Sequence, residues 1–248
     1  MPHEGHRLLP TNPHLALQCF ARAVARGHGP SHAQLAYMHI EGSSAADKNV
    51  ARAHELAAAG AALGCSDSKG VLGWLTYLGS GEPIGEQLMR ESSDVGGAWG
   101  QWALGNFYYR TPNFFEAARY YRMAAEQGHS DAQFRLGNIY ENGTGVAQDY
   151  SEALRYNRMA AEQGHSNAQF DIGNMYEVGR GVAQDISEAL RYWRLAADQG
   201  HSEAQVGACA QENGCMHGAA SEPTPTPLCR RNRGCLCPRE RMHARGCV

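Results

Sequence analysis

Apolar residues follow helical spacing along most of this chain. In residues 130–142, Ala132, Leu136, Ile139 and Tyr140 stand at positions i, i+4, i+7 and i+8. This spacing places them on one face of an α-helix. The segment that follows, "EALRYNRMAAEQG", is helical in the same way. Its inward positions are Ala153, Tyr156, Ala160 and Ala161. Small alanines at these positions predict that neighbouring helices approach closely.

Polar residues and glycines mark the predicted ends of both helices. Ser130 with Gln133 predicts a capping box at the start of the first helix, in which the serine hydroxyl accepts the third amide and the glutamine reaches back. Gly143 predicts its left-handed end, and Asp149 with Glu152 predicts the cap of the second helix. The same pairs recur at Ser31/Gln34, Ser166/Gln169, Ser202/Gln205, Asn113/Glu116 and Asp185/Glu188, and Gly179 repeats Gly143.

This two-helix pattern repeats along the chain. "QGHSDAQFRLGNIYENGTGV" from Gln127 returns as "QGHSNAQFDIGNMYEVGRGV" from Gln163, which is 36 residues later. Fainter copies begin at Gly29, Gly64 and Gly96. A fixed period of this length is typical of stacked repeats. The chain is therefore predicted to be all-α, a right-handed α-solenoid of stacked antiparallel helix pairs.

The predicted solenoid covers residues 13–212, with about five repeats and a half-repeat on each side, and the pattern is strongest over 96–206. Residues 1–12 are predicted to be an N-terminal extension and 213–248 a separate tail. Glycines in the early units predict interrupted helices there. These are Gly70, Gly79, Gly81, Gly85 and Gly100.

At this point the sequence resembles the Sel-1-like repeat family, a relative of the tetratricopeptide repeat. The signature of that family is A-x-x-x-L-G-x-x-Y, then G-x-G-V, an acid, and A-x-x-Y-x-x-A-A-x-x-G. It is met at Ala132, Leu136, Gly137, Tyr140, Gly143, Gly145, Val146, Asp149, Ala153, Tyr156, Ala160, Ala161 and Gly164. The next unit repeats it from Ala168 to Gly200 with Ile172 in place of the leucine.

The resemblance implies a non-catalytic scaffold or adaptor that binds partner proteins or peptides along its concave surface. The alternative is a β-lactam or peptidoglycan-type hydrolase, as suggested for cysteine-bridged relatives. The repeats "MAAEQGHSNAQF" carry alanines where those relatives have paired cysteines, and no Gly-x-Ser-x-Gly nucleophile elbow is present. The sequence therefore predicts that the protein is not an enzyme.

The predicted binding surface is a row of aromatic, amide and mostly acidic side chains on the first helix of each unit, pointing away from the apolar face. Its members are Trp102, Asn106, Tyr109, Phe134, Asn138, Glu141, Phe170, Asn174 and Glu177. An amide can bond the backbone of an extended peptide, and an aromatic ring can anchor its side chains. Packing of Phe134 and Phe170 between neighbouring first helices is the alternative for the aromatic positions. For the asparagines, the alternative to ligand contact is copying of the repeat by duplication.

No metal or cofactor is expected for the solenoid. His129, His165 and His201 lie one repeat apart, roughly 10 Å if neighbouring helices pack normally, so they are too distant to share a zinc ion and are interpreted as turn residues. "GTGV" and "GRGV" follow the negative end of a helix and precede an aspartate, which disfavours phosphate binding.

Charge divides the chain at the tail. Residues 213–248 carry six arginines and two acids, a net charge of +4. Since the net charge of the whole chain is −3, residues 1–212 carry about −7. The solenoid is therefore not expected to bind nucleic acid. The Pro-, Arg- and Cys-rich tail is predicted to be unstructured, with a basic interaction tail or a metal site as alternatives. Without a predicted signal peptide or membrane span, a cytoplasmic location and a monomer are expected, although the nucleus remains an alternative.

Overall fold

A computed structural model describes residues 13–42, 46–81 and 83–212 of the chain. In this part the chain forms twelve α-helices and no β-strand. The helices are α1 (Pro13–Ala25), α2 (Gly29–Glu41), α3 (Val50–Ala62), α4 (Ser66–Ser80), α5 (Pro83–Asp94), α6 (Ala98–Arg110), α7 (Phe114–Glu126), α8 (Ser130–Asn142), α9 (Tyr150–Glu162), α10 (Ser166–Val178), α11 (Ile186–Asp198) and α12 (Ser202–Glu212). The all-α prediction is confirmed.

The chain divides into two compact units between Ala168 and Gln169, inside α10. In the larger unit, α2 packs on α3, α4 on α5, α6 on α7 and α8 on α9. The first helices of successive pairs also contact each other, α2 with α4, α4 with α6 and α6 with α8. This is the predicted solenoid of stacked helix pairs. The predicted tail, residues 213–248, lies outside the described residues.

The core of the larger unit is built from the predicted apolar positions. Ala132, Leu136 and Ile139 of α8 are buried, as are Ala153 and Tyr156 of α9. In the smaller unit a second core forms around Trp193, which packs with Ala189, Ala196 and Ala204. The fully buried alanines let helix backbones approach closely, which is the role that their regular spacing predicts.

The second helices begin at the predicted caps. Asp149 Oδ1 accepts hydrogen bonds from Ser151 N at 2.9 Å and from Glu152 N at 3.1 Å. The acid at the third position does not reach back to the cap, however. Glu152 pairs with Arg155 at 2.7 Å instead, and the guanidinium lies 4.0 Å from the centre of the Tyr156 ring. The same arrangement is found at Asp185, Glu188, Arg191 and Tyr192.

The capping box predicted for the first helices is wrong. Ser130 is the first helical residue of α8, and the cap is His129, whose Nδ1 accepts a hydrogen bond from Ala132 N at 3.3 Å. Gln133 does not reach back either. Its Nε2 donates to Ala125 O at 3.1 Å, and its Oε1 accepts from Gln163 Nε2 at 2.7 Å. A buried amide thus ties the turns of neighbouring pairs together.

The glycines of the early units do not interrupt helices, contrary to the prediction. α4 runs unbroken through Gly70 and Gly79, and Gly81 closes it in the left-handed conformation with φ +67°. Gly70 instead marks the closest approach of two first helices, because a Cβ there would lie 2.4 Å from the backbone N of Gly100. Likewise, a Cβ on Gly85 of α5 would lie 2.7 Å from Tyr77 N. Tertiary contact outweighs the poor helix propensity of glycine at these positions.

The register of the first unit also differs from the prediction. The glycine that ends the preceding helix is Gly27, with φ +76°, and the residue at the cap of α2 is His28. Gly29, on which the repeat was aligned, is the first helical residue. The unit therefore begins two residues earlier than the sequence alignment places it.

Candidate functional site

The predicted binding surface lies on α6, α8 and α10. We call it the first-helix face and define it by Trp102, Asn106, Tyr109, Phe134, Asn138, Glu141, Phe170, Asn174 and Glu177. α6 and α8 belong to the larger compact unit, and the listed residues of α10 belong to the smaller one. Each set is therefore described within its own unit.

Trp102 is part of the core and not of the exposed surface. Its side chain is only 6% exposed, and its ring packs edge-on against Tyr37, Trp74 and Trp99. A residue this deeply buried does not touch a partner directly. At this position the packing alternative, rather than the binding interpretation, describes the side chain.

Phe134 and Phe170 are half-buried and rest on histidines. The ring of Phe134 stacks on His165 with centroids 4.6 Å apart, and Phe170 stacks on His201 at 4.7 Å. One face of each ring is therefore covered from within its own compact unit, and part of the ring remains exposed. Stacking fixes the direction in which each ring points.

The histidines that support these rings also cap helices. His165 Nδ1 accepts from Ala168 N at 3.2 Å, and His201 Nδ1 accepts from Ala204 N at 3.2 Å. His129 completes the pattern, since it caps α8 and lies parallel to the buried Trp102 ring at 5.4 Å. The sequence signal is the repeated Gly-His-Ser. Because serine is the commoner N-cap, this pattern predicts a serine cap and leaves the histidine as a turn residue.

The asparagines of the first-helix face have two kinds of surroundings. Asn106 Oδ1 accepts from the hydroxyl of Tyr121 at 2.7 Å, and Asn174 Oδ1 accepts from the indole of Trp193 at 3.0 Å. Both therefore satisfy the polar atom of a large aromatic residue on the second helix of the same pair. Asn138 has no such partner, and its side chain makes no hydrogen bond in the structure. Of the three, it is the one in which neither Oδ1 nor Nδ2 makes a hydrogen bond to a described residue.

The acids at the end of the row are partly exposed. Glu141 and Glu177 each lie in the last turn of their helix, and their backbone carbonyls accept hydrogen bonds from Gln148 and Gln184, both at 2.7 Å. These bonds hold the loop that follows each first helix against the helix end. The carboxylates themselves lie at the rim of the face.

A small pocket opens beside Asn138. Its polar lining comes from Tyr109 and Tyr121 on α6 and α7, from Arg135, Asn138 and Asn142 on α8, and from Thr144 in the following loop. Burial raises the pKa of the Tyr121 phenol, while the charge of Arg135 opposes that rise. Since both groups line the pocket, it presents a neutral phenol and a positive guanidinium.

A second polar group lies where α2, α8 and the cap of α10 meet. His165 Nε2 lies 3.3 Å from Asp131 Oδ1, and the phenol of Tyr37 lies near the same carboxylate. Burial alone would raise the pKa of Asp131, but the hydrogen bond from His165 is the largest of the effects that oppose it, and the pKa falls to about 2. Burial, with Asp131 and Glu41 nearby, raises the pKa of Tyr37 well above its usual value. Asp131 is thus held as a carboxylate.

Neither His165 nor His28 is arranged as a catalytic base. Both ring nitrogens of His165 are engaged, one by Asp131 and the other by Ala168 N. His28 Nδ1 lies 2.7 Å from Ser31 Oγ, but that serine is buried in the first turn of α2 beside the residue that precedes the helix. The hydrolase alternative therefore gains no support from either pair.

Two further features of the described residues bear on the site. Over residues 13–42, 46–81 and 83–212, no group of three or more His, Cys, Asp and Glu side chains is placed to hold a metal ion. Within the same ranges, no helix has both the length and the apolar character needed to cross a membrane. The cysteines considered for a metal site in the tail lie outside the described residues.

Comparison with protein families gives five matches to the Sel1 repeat. They cover residues 1–28, 29–65, 100–129, 130–165 and 166–201. The match that begins at residue 29 starts at the first residue of α2, and those that begin at residues 130 and 166 start at the first residues of α8 and α10. No match was found among curated proteins.

Several solved structures resemble this one. A protective antigen of uropathogenic Escherichia coli with an SLR fold is 25% identical, with a TM-score of 0.57 over 83% of this chain. This chain spans only 46% of that protein. A Sel1 repeat protein from Oxalobacter formigenes is 25% identical, with a TM-score of 0.56 over 79% of this chain and 83% of the other. An immunity protein from Pseudomonas aeruginosa, at 20% identity and a TM-score of 0.54 over 81% of this chain and 79% of its own, shows likeness of fold alone.

Proposed function

Since the chain belongs to the Sel1 repeat family, whose members are typically protein-interaction scaffolds, we propose that it binds a partner protein or peptide along the first-helix face, without direct contact to the buried Trp102. The Sel1-repeat fold is generally non-catalytic, and we propose the same for this chain. The hydrolase alternative gains no support from the family match.

The observation that carries the proposal is the strip Phe134, Asn138 and Glu141 on α8. These residues stand about one helical turn apart, and all three are partly exposed. Together they offer an apolar anchor, an amide with no hydrogen bond of its own, and a charge at the rim. This is the kind of surface that an extended segment of a partner fits.

The strip is held in place before any partner arrives. The stack of Phe134 on His165 fixes the anchor ring, and the cap that His165 makes on Ala168 N fixes the histidine. A side chain that is already ordered loses less conformational entropy on binding. The ring is therefore a suitable anchor for a protein partner.

We extend the proposal to Phe170, Asn174 and Glu177 in the smaller compact unit. Phe170 is supported by His201 in the same way, and Asn174 remains partly exposed although its Oδ1 is bonded to Trp193. The net negative charge of residues 1–212 favours protein over nucleic acid as the partner of both sets. The expected partner contacts are thus aromatic and amide contacts rather than phosphate contacts.

Capture of partners from cell extract by the full chain tests the proposal. Phe134→Ala and Asn138→Ala should each lose a partner that the unchanged chain retains. Phe115→Ala is the matched control, because it deletes the same side chain at a more exposed position, 66% exposed on the second helix α7.

Circular dichroism and thermal melting of each variant establish that the helices persist. Asn138→Ala is the cleaner of the two changes, since its side chain makes no hydrogen bond that folding would lose. A partner that is lost equally with Phe115→Ala, or retained by both α8 variants, would contradict binding along the first-helix face.

A further inference from the structure

The pocket beside Asn138 carries an excess of hydrogen-bond donors. Tyr109, Arg135, Asn138 and Thr144 all line it, and none of these four side chains makes a hydrogen bond or ion pair in the structure. The other two polar side chains are already engaged, since Tyr121 donates to Asn106 Oδ1 and Asn142 Nδ2 donates to Asn138 O. Four uncommitted donors therefore meet around one small opening, and three of them belong to neutral groups.

Arg135 stands apart from the arginines of the neighbouring second helices. Arg119 and Arg155 are each ion-paired with a glutamate three residues earlier, at 2.7 Å in both cases. α8 carries two carboxylates, Asp131 and Glu141, and neither lines the pocket. Asp131, one turn before Arg135, is engaged by His165 instead. Among the described residues, no carboxylate forms an ion pair with Arg135.

The cation is particular to this unit of the repeat. The residues equivalent to Arg135 are Ala103 one unit earlier and Asp171 one unit later. The residue equivalent to Thr144 in the next unit is Arg180. Duplication of the repeat explains Asn138, since Asn106 and Asn174 are its equivalents, but it does not explain the set of four donors.

We propose that this pocket binds a carboxylate of the partner, with Arg135 as the charged donor and Asn138, Tyr109 and Thr144 as neutral donors. A guanidinium binds a planar carboxylate through two parallel hydrogen bonds, and one negative charge matches the single cation. The apolar side of the pocket is Ile139, which suits the carbon that bears the carboxylate. The inference rests on the proposed function, because it names the chemistry of the partner that the first-helix face accepts.

The carboxylate comes either from the C-terminus of a partner or from an aspartate or glutamate side chain. The test begins with what the two sources share. Full-length isotope-labelled protein is titrated with acetate and, separately, with acetamide at the same ionic strength, while NMR follows the Arg135 Nε–H and Asn138 side-chain amide signals. We expect saturable shifts of both signals with acetate and none with acetamide.

Variants separate a specific site from general charge attraction. Arg135→Gln should weaken acetate binding at least about tenfold, as expected for loss of a charged hydrogen-bond partner. Arg135→Lys should recover only part of the affinity, because lysine lacks the planar fork. Arg26→Gln is the matched control, since it removes an equally exposed positive charge of the larger unit that lies outside the pocket.

Two blocked amino acids distinguish the sources. N-acetylglycine carries a terminal carboxylate, and the α-amide of N-acetylglutamic acid carries one on its side chain. Tighter binding of the first assigns the pocket to a chain terminus, tighter binding of the second assigns it to an acidic side chain, and equal binding supports recognition of the carboxylate alone.

Equal shifts with acetate and acetamide would overturn the carboxylate pocket, as would equal loss of acetate binding in Arg135→Gln and Arg26→Gln. Because these titrations need no partner, they are independent of the capture experiment. Acetate binding without any captured partner overturns the proposed function and leaves the pocket standing. Partner capture that depends on Phe134, without acetate binding, overturns only the pocket.

Discussion

The ring of His165 stacks on Phe134, with centroids 4.6 Å apart, while its Nδ1 caps α10 by accepting a hydrogen bond from Ala168 N. The His165 side chain thus fixes both the start of α10 and the orientation of the partly exposed Phe134 ring in the preceding repeat. The cap requires an unprotonated Nδ1, so Nε2 carries the proton that faces Asp131. The repeated histidine is therefore a structural joint between α8 and the start of α10.

Removing this cap should destabilise the protein. We expect His165→Ala to lower the free energy of unfolding by about 1 to 2 kcal/mol, since the N-terminal amide loses its acceptor and the Phe134 ring loses its support. His165→Asn should recover the cap but not the stack, so its loss should be smaller. Urea unfolding followed by circular dichroism measures both, and an alanine variant as stable as the unchanged protein would contradict the capping role.

The close approach at Gly70 predicts opposite effects for two glycines of α4. Gly70→Ala should destabilise by about 1 to 3 kcal/mol, because its Cβ would lie 2.4 Å from Gly100 N and the helices must move apart. Gly79→Ala should stabilise by up to about 1 kcal/mol, because a Cβ there has no neighbour within 4 Å and alanine favours helix. Thermal melting of both variants makes the comparison, and the same sign for both would refute the packing account.

The pair Tyr121 and Asn106 should show energetic coupling. Asn106→Ala leaves the Tyr121 hydroxyl without its acceptor and should cost about 1 to 3 kcal/mol. Tyr121→Phe removes the hydroxyl itself, so adding Asn106→Ala to it should cost clearly less than Asn106→Ala does alone. A double-mutant cycle by urea unfolding measures the coupling, and strictly additive losses would mean that the bond contributes nothing.

The free energy of unfolding should depend on pH through Asp131. Its pKa is lowered from 3.8 to about 2, so it stabilises the folded state above pH 4, and this contribution is lost as the pH falls towards 2. Asp131→Asn should therefore cost about 2 kcal/mol at pH 7, and its difference from the unchanged protein should shrink at low pH.

Urea unfolding at pH 7, 4 and 2.5 follows that difference. Asp94→Asn is the control, since this exposed carboxylate at the end of α5 makes no hydrogen bond or ion pair in the structure. A gap between Asp131→Asn and the unchanged protein that stays constant with pH would argue against the carboxylate as its source.

Local patterns were sufficient to predict the helices, their order and much of the core. The spacing of Ala132, Leu136 and Ile139 predicts a buried face, and Asp149 predicts a cap, because both depend on residues within one or two turns of each other. The period of 36 residues predicts stacking for the same reason, since each unit repeats the same local rules. Sequence alone therefore determined an all-α repeat protein of this family.

Only the tertiary structure decided what the polar and glycine positions do. His165 rather than Ser166 caps α10, and its ring stacks on Phe134 of the preceding repeat, while Gly70 lies against the backbone of Gly100 in another helix pair. Asn106 and Asn138 share a position in the repeat, yet one is bonded to Tyr121 and the other lines a pocket. These outcomes are set by residues that are distant in sequence, so no local pattern contains them, and packing chooses among side-chain roles that a helix by itself leaves open.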